Sequence, residues 1–355
     1  MKALIAMSGG VDSSVSALLM KEKGYECIGC MMKLYDNEDA GLCRTRTCCS
    51  LDDVQDARSV ADRLGIPFYV LNFKDDFREK IISKFIKSYE NGVTPNPCID
   101  CNRYMKFDKL YDRAMEYGCE KIVTGHYARI ERVKEGYLLK KAIDDTKDQS
   151  YVLYSMTQEQ LKHTEFPIGE LKKIQVRKIA KENSFINEDK PDSQDICFVP
   201  DGDYVGAIKR LSGKEYESGL IRDMEGNIRG HHDGIIRYTI GQRKGLRISS
   251  DRPLYVCNID ADNNEVIVGS NENLYSKEVH VKNVNWISPW LISDGMKVKT
   301  KIRYRQKEQS AILNLSKESD DEATIVFDEP QRAVTKGQAA VIYLGDIVLG
   351  GGIIS

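Results

Sequence analysis

Residues 3–14 read Ala-Leu-Ile-Ala-Met-Ser-Gly-Gly-Val-Asp-Ser-Ser. The apolar run Ala3–Met7 has strand length and stops at a Gly-Gly turn. Helical spacing follows over Val11–Lys23, closed by Gly24. A buried strand that feeds a helix through glycines is the opening unit of a parallel sheet. The same unit suits an anion. Glycines let the backbone approach closely, and the unpaired N–H groups and dipole of the helix start hold negative charge. Ser8, Ser13 and Ser14 add hydroxyl donors. The loop lacks the Gly-Lys-Ser/Thr end of a Walker A motif, and it is not the Gly-x-Gly-x-x-Gly dinucleotide fingerprint.

Outward from this unit, the first half alternates strand and helix. Cys27–Lys33 reads as a second strand, and Ser50 with Asp53 starts a helix that runs to Leu64 and ends at Gly65. Phe68–Asn72 is a third strand, Phe77–Tyr89 and Asn102–Tyr117 are helices, and Ile122–Thr124 is a short buried strand leading into Gly125-His126. The pattern predicts an α/β Rossmann-like N-terminal domain with a parallel sheet, which binds ligands beyond the carboxyl ends of its strands. Near residue 200 the texture changes to short alternating runs: Glu265–Gly269, Lys297–Tyr304, Ser310–Leu315, Ala323–Phe327 and Ala339–Leu344. These predict two all-β units. The expected division is 1–200, a small central β domain over 201–275, and a C-terminal β-barrel over 276–355.

The 355 residues are 41% hydrophobic and 30% charged, enough apolar material for real cores. The net charge of −2 carries no nucleic-acid signal for the molecule as a whole. Residues 277–309, however, hold eight Lys/Arg against three acids, a local face suited to phosphates. No membrane span or signal peptide is legible, so the expectation is a cytoplasmic protein whose thiols stay reduced. The ten cysteines then read as metal ligands, catalysts or small core residues. Cys119 and Cys257 read as core. Cys27 and Cys30, three apart on a strand, point to opposite faces. Cys98 and Cys101 lie in Thr-Pro-Asn-Pro-Cys-Ile-Asp-Cys-Asn (94–102), and Cys101 at a helix start would favour thiolate.

Several further strings occur in one order with these: Thr124–Arg129 (TGHYAR), Lys147–Tyr151 (KDQSY), Asp192–Phe198 (DSQDICF), Tyr238–Arg243 (YTIGQR), Arg303–Gln306 (RYRQ) and Pro330–Ala333 (PQRA). The SGGVDSS loop resembles the pyrophosphate loop of PP-loop ATPases. The whole set resembles the tRNA-specific 2-thiouridylases, over nearly the full chain. That resemblance implies ATP-dependent 2-thiolation of the wobble uridine of tRNA, with release of AMP and diphosphate and with Mg2+ neutralising the phosphates. It implies ATP contacts from Ala6, Met7, Ser8, Gly9, Gly10, Val11, Asp12, Ser13, Ser14, Met32 and Gly125. Cys101 is implied as nucleophile and Cys197 as persulfide carrier, the two ending as a disulfide. His126, Lys147, Asp148, Gln149, Arg303, Tyr304, Arg305, Gln306 and Gln338 are implied to contact tRNA. A cysteine desulfurase or sulfur relay protein is implied as donor.

The chain departs from the family at Cys98, where many members carry an aspartate assigned as general acid/base. That role is vacant or falls to Asp100. Cys98 reads three ways: inert neighbour, resolving thiol, or ligand, with Cys101 and Cys197, of a 4Fe-4S iron–sulfur cluster, tetrahedral zinc being open to the same ligands. Cys43, Cys48 and Cys49 suggest a lid-like loop beside the site. Rival functions are another AMP-forming PP-loop synthetase, which needs neither Cys101 nor Cys197, and a non-catalytic metal-bound RNA-binding module, against which the intact SGGVDSS argues.

Overall fold

The computed structural model describes residues 1–36, 51–192 and 196–355; Cys43, Cys48, Cys49, Ser50 and residues 193–195 of the DSQDICF string lie outside the described residues. The first seven strands are β1 (Lys2–Ala6), β2 (Glu26–Lys33), β3 (Phe68–Asn72), β4 (Lys121–Val123), β5 (Ala128–Arg132), β6 (Tyr137–Lys141) and β7 (Thr164–Glu165). Five of them form one parallel sheet in the order β3-β2-β1-β4-β7. Leu4 pairs with Ile28 on one side and Ile122 on the other. Both faces of β1 are buried, because its side chains alternate between two cores: Ala3 and Ile5 pack with Val15 and Ala57, and Leu4 packs with Phe77 and Met105. Cys27 and Cys30 fall in these separate cores on opposite faces of the sheet. The chain leaves β3, crosses behind β2 and β1 through helices at 74–90 and 97–116, and resumes as β4. Strand order therefore reverses between β1 and β4, which is where an open parallel sheet leaves a crevice at its carboxyl end.

Helix α1 (Val11–Glu22) follows β1, and α2 (Leu51–Leu64) precedes β3. The helix expected from Asn102 begins five residues earlier. Asn96 caps it, accepting from the Cys98 N–H at 3.2 Å, and Pro97 supplies the preset φ of the first turn. The helix widens to π geometry over Cys101–Lys109, a rare departure from α winding that tends to mark functional segments. Cys98, not Cys101, is thus the cysteine at the helix start. The helices Gln158–Lys162, Lys173–Glu182 and Tyr204–Ser212, and the β5–β6 hairpin, were not legible in the sequence.

The central sheet contains β8 (Gly219–Asp223), β9 (Ile228–His232), β10 (Tyr255–Asp260) and β11 (Glu265–Gly269), in the order β10-β11-β8-β9. Ile221, Val256, Val266 and Val268 form its small core with Tyr238 and Leu246. The remaining strands are β12 (Tyr275–Trp286), β13 (Met296–Lys301), β14 (Gln309–Leu315), β15 (Ala323–Arg332), β16 (Ala339–Leu344) and β17 (Ile347–Ile354). They run β12-β15-β14-β13-β16-β17, and antiparallel β12–β17 pairing closes them into a six-stranded barrel. Closure removes open edges and buries Val298, Leu313, Ile325, Phe327, Ile342 and Leu349 inside. The sheet does not stop at the barrel. β17 also pairs with β6, Val348 opposite Leu139, so the hairpin from the N-terminal half is continuous with the barrel wall. Among the described residues no helix is long and apolar enough to cross a membrane.

Candidate active site at the switch point of the parallel sheet

The crevice between the ends of β1 and β4 is built by the residues of the Gly-Gly turn. Gly9 has φ +76°, and a Cβ there would stand 2.5 Å from the Asp53 carbonyl oxygen, so only glycine fits against α2. Ser13 donates its hydroxyl to the Gly10 carbonyl at 3.0 Å and accepts from the Ser8 N–H at 3.1 Å, which curls the turn over the helix start. Gly10 precedes α1 with no side-chain cap, leaving the first-turn N–H groups to face the crevice. From the opposite wall, Gly125 abuts the same turn. A Cβ on it would lie 2.8 Å from the Ser13 nitrogen and 2.9 Å from the Asp12 carbonyl carbon. The arrangement is a glycine-lined cradle at a helix start, the kind of backbone that suits an anion.

Charge around the cradle is organised by Lys173, which the sequence did not single out, together with residues of the quoted strings. Lys173 donates to both Asp12 oxygens, at 2.7 and 2.8 Å, and forms an ion pair with Asp192 at 2.7 Å. Tyr127 donates its hydroxyl to Asp12 at 2.8 Å. Burial, then the neighbouring Asp12, pushes the Tyr127 hydroxyl far above the usual tyrosine range, so it stays protonated as a donor. Burial works to raise the Asp192 carboxyl, but hydrogen bonds from Lys147 and Lys173 outweigh it and hold the group below the usual range. Asn187 closes the back of the turn, donating to the Gly9 carbonyl and to Ser14 Oγ at 2.9 Å each. A lysine in a polar helix and an asparagine in a connecting loop carry no local signature. Only the fold brings them to the turn.

Cys101 and Cys197 lie on the other face of the sheet. Cys101, Cys197 and Met32 are half-buried and all pack against the core that holds Leu4, Phe77 and Phe85. The Cys197 segment is anchored on both sides. Tyr35 donates its hydroxyl to the Cys197 carbonyl at 2.7 Å, and Phe198 is buried against Phe85 (5.1 Å) and Phe77 (5.8 Å) between ring centroids. No disulfide joins two described cysteines. Cys98 is exposed on the first turn of its helix. Asp100, which follows it, is bonded to Lys84 at 2.7 Å with 14% side-chain exposure. Burial raises its carboxyl above the usual range despite the opposing pull of Lys84. Among the described residues no three His, Cys, Asp or Glu side chains are gathered to hold a metal, Cys98, Cys101 and Cys197 included.

The other expected tRNA contacts mostly point inward. His126 is 6% exposed. Lys106 lies 3.3 Å from its Nε2 and, as an ammonium, can only donate there, so the ring proton sits on Nδ1, 2.7 Å from Thr124 Oγ1. Burial, then Lys106, holds His126 well below the usual histidine range, which makes it neutral. Lys147 pairs with Asp192, Asp148 accepts from the Ala142 and Ser150 N–H groups, and Gln149 accepts from the Tyr127 N–H at 2.9 Å. Gln338 donates to the Thr94 and Pro95 carbonyls at 2.9 and 3.3 Å, fastening the barrel to the TPNP turn. Arg303 donates to the Ala333 carbonyl at 2.6 Å, and Gln306 to Gln331 at 2.8 Å. Tyr304 and Arg305 are exposed, as are Lys297, Lys299 and Lys307 of the basic face.

A Rossmann-like parallel sheet with a Gly-Gly turn at its switch point, joined to two β domains, defines a three-part α/β-plus-barrel architecture, and comparison with known proteins specifies it. Residues 1–201 match the tRNA methyl transferase HUP domain, 208–270 the tRNA methyl transferase PRC-barrel domain and 276–354 the aminomethyltransferase β-barrel domain. The chain is similar to the tRNA-specific 2-thiouridylase MnmA of Clostridioides difficile, 51% identical over 99% of this chain and 98% of that one. It is also similar to the enzyme of the same name from Acetivibrio thermocellus, 50% identical over 99% of both chains. The chain belongs to the tRNA-specific 2-thiouridylase family and is a tRNA-modifying enzyme.

Proposed function

We propose that this chain is a cytoplasmic sulfurtransferase that replaces O2 of the wobble uridine of tRNA with sulfur. ATP lies in the cradle of Ala6–Ser14 with its adenosine against Met32 and Gly125. The uracil O2 attacks the α-phosphorus, the α–β phosphoanhydride bond breaks, and diphosphate leaves as the N3 proton is released. C2, now bearing an AMP leaving group, is attacked by the terminal sulfur of a Cys197 persulfide, and AMP departs. The Cys101 thiolate then attacks Sγ of Cys197, which frees the 2-thiouridine and closes a Cys101–Cys197 disulfide. A thiol reductant supplies two electrons to reopen it, and a persulfide donor recharges Cys197. Mg2+ accompanying ATP supplies charge neutralisation, and Asp12 offers the hard oxygen donor at the cradle that such an ion takes. Tyr304 and Arg305 and the exposed lysines of the barrel meet the tRNA, by base stacking and by phosphate pairing.

The observation that supports this reading best is the common packing of Met32, Cys101 and Cys197 on one core, which also holds Leu4 of the strand that leads into the cradle. The test uses anaerobically purified full-length protein with a tRNA bearing a wobble uridine, ATP and a persulfide donor, scored for AMP and for 2-thiouridine by nucleoside mass spectrometry. Both products are expected from the wild type. Cys101→Ala and Cys197→Ala should lose 2-thiouridine by about 1,000-fold or more, the scale of removing a covalent catalyst, and Cys98→Ala should retain it. Iron and sulfide that disappear with Cys98→Ala, together with the activity, would sink the persulfide cycle.

A further inference from the structure

The Gly-Gly turn has a helix start, hydroxyls and an acid, but no cation of its own. A polyphosphate brought there would meet the carboxylates of Asp12 and Asp192 at close range, a repulsion that helix N–H groups alone do not offset. Lys173 stands between those carboxylates. Its ammonium bonds both Asp12 oxygens and Asp192, and the residue is 9% exposed. Its backbone is fixed separately: the Lys173 N–H donates to Asp144 at 2.8 Å, where the helix Lys173–Glu182 begins. The stem passes the Tyr127 ring, 5.8 Å from the ammonium. The half-buried lysine nearby, Lys190, is held by Asp53 and Asp56, both on α2 and neither in the turn.

We infer that Lys173 is a phosphate-binding residue of this enzyme. It supplies from a separate helix the cation that the loop lacks, and on nucleotide binding its ammonium passes from Asp192 to the β-phosphate side. The inference rests on the proposed use of ATP. Held by two carboxylates in the absence of nucleotide, the ammonium is kept at the mouth of the cradle at little cost, since an unpaired buried cation is strongly disfavoured. Once the phosphates arrive, it stabilises the charge that grows on the departing diphosphate. Asp192, released on one side, keeps Lys147 at 2.7 Å and Arg177 at 3.5 Å, so neither carboxylate is stranded.

The test is calorimetric titration of inorganic diphosphate with Mg2+ into full-length wild type, Lys173→Gln, Lys173→Arg and Asp192→Asn, beside AMP formation with tRNA. Lys173→Gln is expected to weaken diphosphate binding about tenfold or more and to lower AMP formation about 100-fold, at unchanged tRNA affinity, with Lys173→Arg recovering part of each. Asp192→Asn is the discriminating variant. If Lys173 binds phosphate, freeing it from Asp192 leaves diphosphate affinity equal or tighter. If Lys173 only braces the fold through its ion pairs, Asp192→Asn weakens the fold and the affinity as Lys173→Gln does. Wild-type diphosphate affinity in folded Lys173→Gln overturns the inference, and so does lost affinity in folded Asp192→Asn. Should Lys173→Gln not fold, the Lys173→Arg and Asp192→Asn titrations decide alone. A wild type that binds diphosphate but forms no AMP with tRNA removes the proposed reaction and leaves the Lys173 assignment to the titration.

Discussion

The cradle and the barrel hold their charges in opposite ways. Around the Gly-Gly turn, Asp12, Lys173, Asp192 and Lys147 are knitted to one another and largely withdrawn from water. On β13, Lys297 and Lys299 alternate with the buried Val298 and Thr300, stand exposed, and make no ion pair among the described residues. The first arrangement fixes geometry, because each buried charge constrains its neighbours. The second fixes none, but remains available to a polyanion. A change in the cradle should therefore act through position, and a change on the barrel through affinity.

The largest effect that would break this contrast is at Gly125. Gly125→Ala drives a methyl into the Ser13 nitrogen and the Asp12 carbonyl carbon, moving the turn by tenths of an ångström. The expected result is a fall in kcat/KM for ATP of about 100-fold, the scale set by misplacing reacting groups. Steady-state AMP formation measures it, and wild-type tRNA affinity should accompany it. The double substitution Lys297→Gln with Lys299→Gln should do the reverse, leaving ATP kinetics alone. It is expected to weaken tRNA binding about tenfold at low salt and to flatten the log–log salt dependence by about one unit per lost phosphate contact. Filter binding across a salt series reads it. An unchanged slope would remove β13 from the tRNA interface.

The smallest effect concerns His126, buried in the catalytic half. Its folded pKa lies well below the usual value of 6.5, so above that value both folded and unfolded states are neutral and pH has no leverage through this group. Below it, the unfolded chain takes up a proton that the folded chain refuses. Stability should then decline as pH falls, by up to about 1.4 kcal/mol per unit for this group. Urea melts at pH 7.0, 6.0 and 5.0 should show this slope in the wild type and a shallower one in His126→Asn.

The parallel sheet was legible because its signals are local: an apolar run, a Gly-Gly turn and a helix, with glycines ending the helices. Four of the six barrel strands, and β11 of the central sheet, were legible as short strand-length runs between turn residues. The β5–β6 hairpin was not, since β5 alternates over only five residues and Leu138-Leu139-Lys140-Lys141 of β6 does not alternate, while Arg129 and Lys140 are satisfied across the fold by Asp346. The start of the cysteine helix was misplaced by five residues because Pro97 resembles a helix breaker, whereas at the first turn it favours the helix. Of the candidate site, the phosphate loop was plain in sequence. Lys173 and Asn187 were not, and Tyr127, though inside the Thr124–Arg129 string, had no role assigned, because each reaches the loop from more than 100 residues away.

The pairing of β17 with β6 carries a consequence for biosynthesis. Residues 137–141 leave the ribosome some two hundred residues before the strand that they flank, 347–354. Until that strand emerges, the hairpin keeps a bare edge and the barrel stays open. The nascent catalytic half must wait with an unpaired edge through most of translation, at the usual ~5–20 residues per second a pause of roughly ten seconds or more. Lys140 and Lys141, on the strand that carries that edge, are the kind of charged residues that keep a waiting strand from pairing with the wrong partner.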